Sequence, residues 1–207
     1  QGSYRPTTNG DRNISFVIPA GVAVYGGFAG TEAAREQRSS DSSLTELSGD
    51  IGSLNTSSDN SYHVVRMEGS SAVPIDALTV LDGLTIREGN ADSDMYDSLG
   101  GGLLCLAMGS GSQCSPTLRQ LRFLYNQASG AGGGMALIGL TQGSASPTLS
   151  EVSFSTNAAF SGGALAIQGL LGGSASAQVS RATFNDNEAR FGGAVFITGT
   201  GNGQAQP

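Results

Sequence analysis

The chain has 207 residues and a net charge of −7 at pH 7, with 38 % hydrophobic, 6 % aromatic and 13 % charged residues. So low a charge beside regular apolar runs argues against a disordered chain, and length suits one domain or one elongated array. All ten basic residues are arginines scattered from Arg5 to Arg190, so no basic stripe awaits a phosphate backbone, and no apolar run nears the ~20 residues of a membrane-spanning helix.

Residues 14–18 (I-S-F-V-I) and 22–25 (V-A-V-Y) read as short strands split by the turn Pro19-Ala20-Gly21, and Gly26-Gly27 breaks the second. Residues 31–44 are polar and read as a surface loop or one short helix. Leu44 to Leu47 resumes a strand, 52–61 is a loop, and Tyr62 to Met67 is a further strand. Leu78 to Ile86 reads as a strand interrupted at Asp82-Gly83, followed by a polar insertion over 87–99. Residues 1–99 thus form an irregular half, and from residue 100 to 207 the pattern becomes regular. The first residues read as the interior of a fold and Gly203 to Pro207 as the start of another repeat, so a longer parent chain is expected.

In the regular half F-L-Y-N (123–126), F-S-T-N (154–157) and F-N-D-N (184–187) recur 31 and 30 residues apart. Each precedes a glycine run and an apolar stretch: G-G-G-M-A-L-I at 132–138, G-G-A-L-A-I at 162–167, G-G-A-V-F-I at 192–197. Each is preceded by a strand-like segment at 115–123, 146–154 or 176–184. A period of this size with short apolar runs marks stacked repeats that cannot bury a core singly. The spacing predicts an all-β solenoid, a single strand wound into about seven stacked parallel coils, on the order of 30 Å long at strand spacing, as one continuous domain. Phe123, Phe154 and Phe184 are expected in one vertical column. Asn126, Asn157 and Asn187 are expected to stack at a corner, each amide bonding the next. The pairs Gly133-Gly134, Gly162-Gly163 and Gly192-Gly193 are expected at corners that need positive φ or close backbone contact. Cys105 and Cys114 flank a glycine turn and are predicted to meet as a disulfide, which points to an oxidising compartment; two buried thiols are the alternative.

The pairing of F-x-x-N with G-G-A-[ILV], together with Y-R-P-T at 4–7 and G-V-A-V-Y-G-G-F-A-G-T-E at 21–32, resembles the polymorphic outer-membrane proteins of chlamydiae and related bacterial surface proteins. The resemblance implies a right-handed parallel β-helix, export to the cell surface or outside it (the periplasm being a further possibility), and a passenger or adhesin-like role without catalytic residues. Its partners would be other protein subunits or cell-surface components, glycans included, and not nucleic acid.

Parallel β-helices also host polysaccharide lyases and glycoside hydrolases, which need carboxylates facing one another across a bond. Beyond residue 97 only Glu151, Asp186 and Glu188 are acidic, and the latter two should splay towards water. An enzyme would instead draw on Asp50, Asp82, Asp92 or Asp94 in one groove, with Arg66 or Arg87 as base. Asn90, Asp92, Asp94 and Asp97 alternate as oxygen ligands for calcium do, but lack the glycine and closing glutamate of an EF-hand; Asp50, Asp59 and Asn60 form a weaker group. No other cofactor is expected. His63, the single histidine, sits in Y-H-V-V without a G-x-S-x-G elbow and reads as a wall residue. Thr117, Thr148 and Thr183 do not form the flat rows that an ice-binding face needs. The expected function is a non-catalytic structural or adhesin-like segment, with a carbohydrate-active enzyme or glycan-binding module as the alternative.

Overall fold

The computed structural model describes all residues, Gln1–Pro207, and is built of strands in parallel sheets with four single-turn 3-10 helices. There are four sheets. A wide sheet of nine strands includes Val80–Arg87 and Thr117–Leu124, and a leucine-rich sheet of six includes Leu103–Met108, Met135–Leu140 and Leu165–Leu170. A four-stranded alanine sheet includes Gln127–Ala131 and Ala158–Ser161, and a four-stranded closing sheet includes Ser144–Ala145 and Ser174–Ser176. Each repeat from Val80 onward visits wide, alanine, leucine and closing sheets in that order. Every strand lies parallel to its equivalent one repeat on. Leu118 is level with Leu149, Phe123 with Phe154, Ala128 with Ala159 and Leu137 with Ile167.

This register turns the sequence period into side-chain columns. The Phe123 and Phe154 rings stack with centroids 4.8 Å apart, and Phe154 and Phe184 at 5.2 Å, within 11° and 2° of coplanar. Ile86 and Leu47 continue the column below. One core of 27 buried residues runs along the stack. The apolar run Leu103–Leu106 has no strand alternation because both faces of the leucine sheet are covered. Leu103 and Cys105 enter the main core, while Leu104 and Leu106 join a second cluster packed against Tyr96 and Leu99. The polar insertion after Ala91 is therefore also a lid: the short helix Met95–Ser98 and its flank fold over the outer face of that sheet.

The wide sheet and the leucine sheet each run through six levels, one fewer than about seven. The difference lies in the first 48 residues. Ala23–Tyr25 pairs with the first half of Val80–Arg87 and Thr45–Ser48 with its second half, so two separated segments make up a single level. Between them residues 26–44 leave the sheet. They leave beside a kink that marks each of the four later levels: Gly83, Gln120, Glu151 and Arg181 hold left-handed backbone, φ from +51° to +77°. A second excursion, residues 50–60, departs from the next corner of the same level, so the strand expected from Tyr62 begins only at Val65. Regular pairing reaches back to Val80, short of the expected change at residue 100.

The corner after the wide sheet is closed by the asparagines. Asn126 Nδ2 donates to Asn157 Oδ1 at 3.0 Å and to Ile86 O at 3.0 Å; Asn157 Nδ2 donates to Asn187 Oδ1 at 2.9 Å and to Phe123 O at 2.9 Å. Their oxygens also accept backbone N–H groups from Gly89, Asn126 and Asn157. The residue before each, Tyr125, Thr156 and Asp186, is left-handed, which costs about 1–2 kcal/mol for an L-residue. Strand pairing sets the register of the glycine corner. Gly132 is level with Gly162 and Gly192, all three near φ +60°, and Gly133 with Gly163 and Gly193. Gly134 thus stands where later repeats carry Ala164 and Ala194. A side chain on Gly133 would run into Ala158 O of the next repeat, so close approach fixes that position. Cys105 and Cys114 are joined by a disulfide across the glycine turn.

Replacing Asn157 by Ala takes the acceptor from Asn126 N and Asn126 Nδ2 and the donor from Phe123 O, while Asn187 Oδ1 keeps its bond from the backbone N–H of residue 157. It is expected to cost about 3 kcal/mol or more in urea unfolding, whereas Asn187→Ala, half-buried with water at hand, costs roughly half as much.

Candidate functional site

A depression of about 500 Å³ lies on the outer face of the wide sheet under the 26–44 excursion. Its floor is a row set by strand register: Tyr25, Asp82 and Arg119 are level with one another on three adjacent strands. Its rim is the helix Arg35–Gln37 and Arg38 after it. The excursion is held down at its base, where Ser39 N donates to Gly27 O at 2.9 Å and Gly27 N to Thr45 Oγ1 at 3.1 Å.

Asp82 is the keystone, 1 % exposed. Arg119 donates to its Oδ2 from Nε and Nη2 at 3.0 and 2.7 Å. Arg38 Nη2 lies 2.6 Å from Oδ1, an ion contact outside hydrogen-bond geometry, so that oxygen accepts no hydrogen bond. Arg38 also donates from Nη1 to Gly26 O, and its guanidinium lies 5.6 Å from the Tyr25 ring centroid. Arg35 stands over the same ring at 5.0 Å and donates to the Tyr25 hydroxyl at 3.2 Å. Three guanidinium groups thus share one aromatic ring and two carboxylates, Asp82 and Glu36, the latter 3.1 Å from Arg35 Nη2. Arg119 is half exposed and Arg35 more so, so both guanidinium groups reach solvent. Beyond them a polar stripe follows the kink: Gln120 Nε2 donates to Glu151 Oε2 at 2.9 Å, and Arg181 Nη2 to Oε1 at 2.6 Å. These bonds hold the Glu151 carboxyl below its ordinary range, the Gln120 contact most.

The expected calcium residues do not gather. Asp92 is taken by Arg12 at 2.6 Å and by the Asn90 amide; Asn90 also donates to Ser57 O; Asp97 faces His63; Asp94 accepts no hydrogen bond from that set. No cluster of three or more His, Cys, Asp or Glu side chains suits a metal ion. Of the four aspartates an enzyme would need, only Asp82 lies in the arginine depression, held between two arginines; Asp92 borders a separate shallow trough over Ala128, Ala159 and Ala189. Arg66 pairs with Glu68, and Arg87 with Glu46 and Glu88. Asp186 occupies the left-handed corner position.

His63 lies before the strand Val65–Gly69, 1 % exposed. Its Nδ1 is 3.0 Å from Gly100 O and its Nε2 3.1 Å from Asp97 Oδ1. Both partners are acceptors, and a neutral ring supplies one N–H, so these contacts pull towards protonation. Burial pulls the other way and wins, since Asp97 is a third exposed and its charge is screened: the His63 pKa falls below its ordinary 6.5.

Tyr25, Arg35, Arg38 and Arg119 do not stand out as a group along the sequence; the one signal is that Arg119 breaks the repeat where the equivalent positions are Ser150 and Ser180. No family model, curated protein or solved structure matches the chain.

Two outcomes follow. Asp82→Ala leaves Arg38 buried without its counter-charge and is expected to cost about 3 kcal/mol or more in urea unfolding, while Arg119→Ala, half exposed, costs about 1 kcal/mol or less. Because the folded state binds the His63 proton less readily than the unfolded chain, its contribution is full above pH 6.5 and is lost as pH falls below that value. The depressed carboxylates Asp11 and Glu151 lose theirs only further down, below their ordinary 3.8 and 4.5, so the two windows separate. Unfolding midpoints measured across pH should show the upper step in the native chain and none in His63→Asn.

Proposed function

We propose that this chain is a stretch of right-handed parallel β-helix from an exported bacterial surface protein, akin to the chlamydial polymorphic outer-membrane proteins, and that it acts without catalysis as an adhesin-like module. Four successive repeats cross the four sheets in one order and pair in parallel register with the next, which supports one continuous winding. Parallel crossovers are right-handed in nearly all cases, which supports the hand. A disulfide supports an oxidising, exported setting.

The observation that carries the binding role is the depression at Tyr25, Arg35 and Arg119. An aromatic face beside fork-shaped guanidinium donors suits a ring-shaped ligand bearing carboxylates, and an acidic glycan of a cell surface is that ligand. The chain's overall negative charge does not forbid this, because charges beyond about 8 Å are screened at physiological salt while the arginines make contact. The dispersal of Asp50, Asp82 and Asp92 to separate places supports a binding role over hydrolysis or elimination.

Titrating a uronic-acid oligosaccharide and a neutral one of equal length into the chain is expected to give saturable binding of the acidic one only. Arg35→Ala with Arg119→Ala should weaken it tenfold or more, at about one charge-assisted contact each. Equal binding of both sugars, or none, refutes the acidic-glycan reading, and cleavage of the oligosaccharide replaces it with the enzymatic one.

A further inference from the structure

The excursion over residues 50–60 holds an electrostatic debt that the fold does not settle from its own groups. Its neck is closed by Ser61 N donating to Gly49 O at 2.9 Å. Ser48, Arg87 and Leu124 are level with one another, so Asp50, two residues on, stands at the foot of the column that continues through Gly89 to Asn126. Two carboxylates turn towards the loop's own backbone. Asp50 Oδ2 accepts from Asn55 N at 3.2 Å and Asp59 Oδ2 from Ser53 N at 2.7 Å. The second oxygen of each, Asp50 Oδ1 and Asp59 Oδ1, is buried with no hydrogen-bond partner. Asn60 Oδ1, beside the neck on a residue only 6 % exposed, is likewise buried and without a donor. Three of the five orphaned buried polar atoms in the molecule therefore lie in this one loop, and all three are oxygens.

None of the ten arginines offsets them. No ion pair reaches Asp50 or Asp59. Arg12 donates to Asn60 O through Nε, but its charge is taken up by Asp92 at 2.6 Å. A buried acceptor without a donor costs about 1–3 kcal/mol, and a carboxylate more. Such groups persist where an ion or a water completes them.

We infer that the 50–60 loop binds a calcium ion through Asp50 Oδ1, Asp59 Oδ1 and Asn60 Oδ1. Calcium takes oxygen ligands only, six to eight of them, and tolerates irregular geometry; magnesium demands a near-ideal octahedron and keeps its water. Three side-chain oxygens leave the remaining positions to water or loop carbonyls. Two carboxylates are a low charge count, which puts the affinity in the range of extracellular modules, a Kd of about 10⁻⁴–10⁻³ M. The site is separate from the Asn90–Asp97 group and from the arginine depression. Its second observation, beyond acidic composition, is the Asn60 amide oxygen left bare in a buried place.

The test is calorimetric titration of CaCl2 into the full chain after EDTA dialysis, with thermal melting in EDTA and in about 10 mM CaCl2. The native chain should bind one equivalent and melt several degrees higher with calcium. Asp50→Asn with Asp59→Asn removes the uncompensated charge, so in EDTA it should melt no lower than the native chain, and it should lose the calcium-dependent rise. Asn60→Asp adds a third carboxylate and should tighten binding about tenfold while lowering the melting temperature in EDTA. Absence of saturable heat in the native chain overturns the site. So does equal binding by the double Asn variant, or an affinity unmoved by Asn60→Asp. These outcomes leave glycan binding at Arg35 and Arg119 untouched, so failure of one reading is distinguishable from failure of the other.

Discussion

The amide column at Asn126, Asn157 and Asn187 is the constraint on which the rest of the structure depends. Each repeat must turn out of the wide sheet through a left-handed residue, and that turn buries backbone groups that no neighbouring strand can reach. The asparagine side chain supplies both a donor and an acceptor at that point: its amide N–H groups go to a carbonyl of the repeat below and to the amide oxygen of the repeat above, and its own oxygen accepts from the repeat below. Aspartate lacks the donor and serine lacks the reach. Because the bonds run between repeats, the same side chains that close a corner also set the register at which the next repeat stacks. The phenylalanine column follows from that register, since stacking at about 5 Å requires the rings to be level.

Regularity above makes irregularity below useful. A stack of in-register strands offers little concavity, and the later repeats carry outward Ser, Thr and Ala. The depressions with chemistry arise where the chain leaves the stack. Residues 26–44 leave at the kink and roof the Tyr25–Asp82–Arg119 row. Residues 50–60 leave at the asparagine corner of the same level and enclose two carboxylates. The segment after Ala91 leaves at the next level and covers the outer leucines. Each excursion departs at a kink or a corner, where the strand pairing is already interrupted.

Charge is arranged to match. Asp82 is buried by the two arginines that approach it from different levels, so it ties the excursion to the sheet while keeping guanidinium groups at the surface. Arg87, with Glu46 and Glu88, does the same for the first levels. These pairs add little where exposed and matter where the carboxylate is dry. A chain with ten arginines and no lysine suits this use, because a planar fork can bond a carboxylate and a carbonyl together.

The sequence by itself determined the parallel, repeating β architecture, the phenylalanine and asparagine columns and the nearness of Cys105 to Cys114, because each is set by spacing along the chain or by a period that stacking reproduces. It left the glycine register open, since G-G-G at 132–134 offers two alignments against G-G-A and only the strand pairing of Met135 with Leu165 chooses between them. It led to Asn90, Asp92, Asp94 and Asp97 as a calcium group, because alternation along a loop looks like a ligand set until Arg12 and His63 are seen to claim its members. Only the tertiary structure decided that Tyr25, Asp82 and Arg119 share a row, that residues 23–25 and 45–48 form one level, and that Asp50, Asp59 and Asn60 hold bare oxygens in one loop. Those facts rest on contacts between segments many residues apart at the irregular levels, where no period exists to carry the information along the chain.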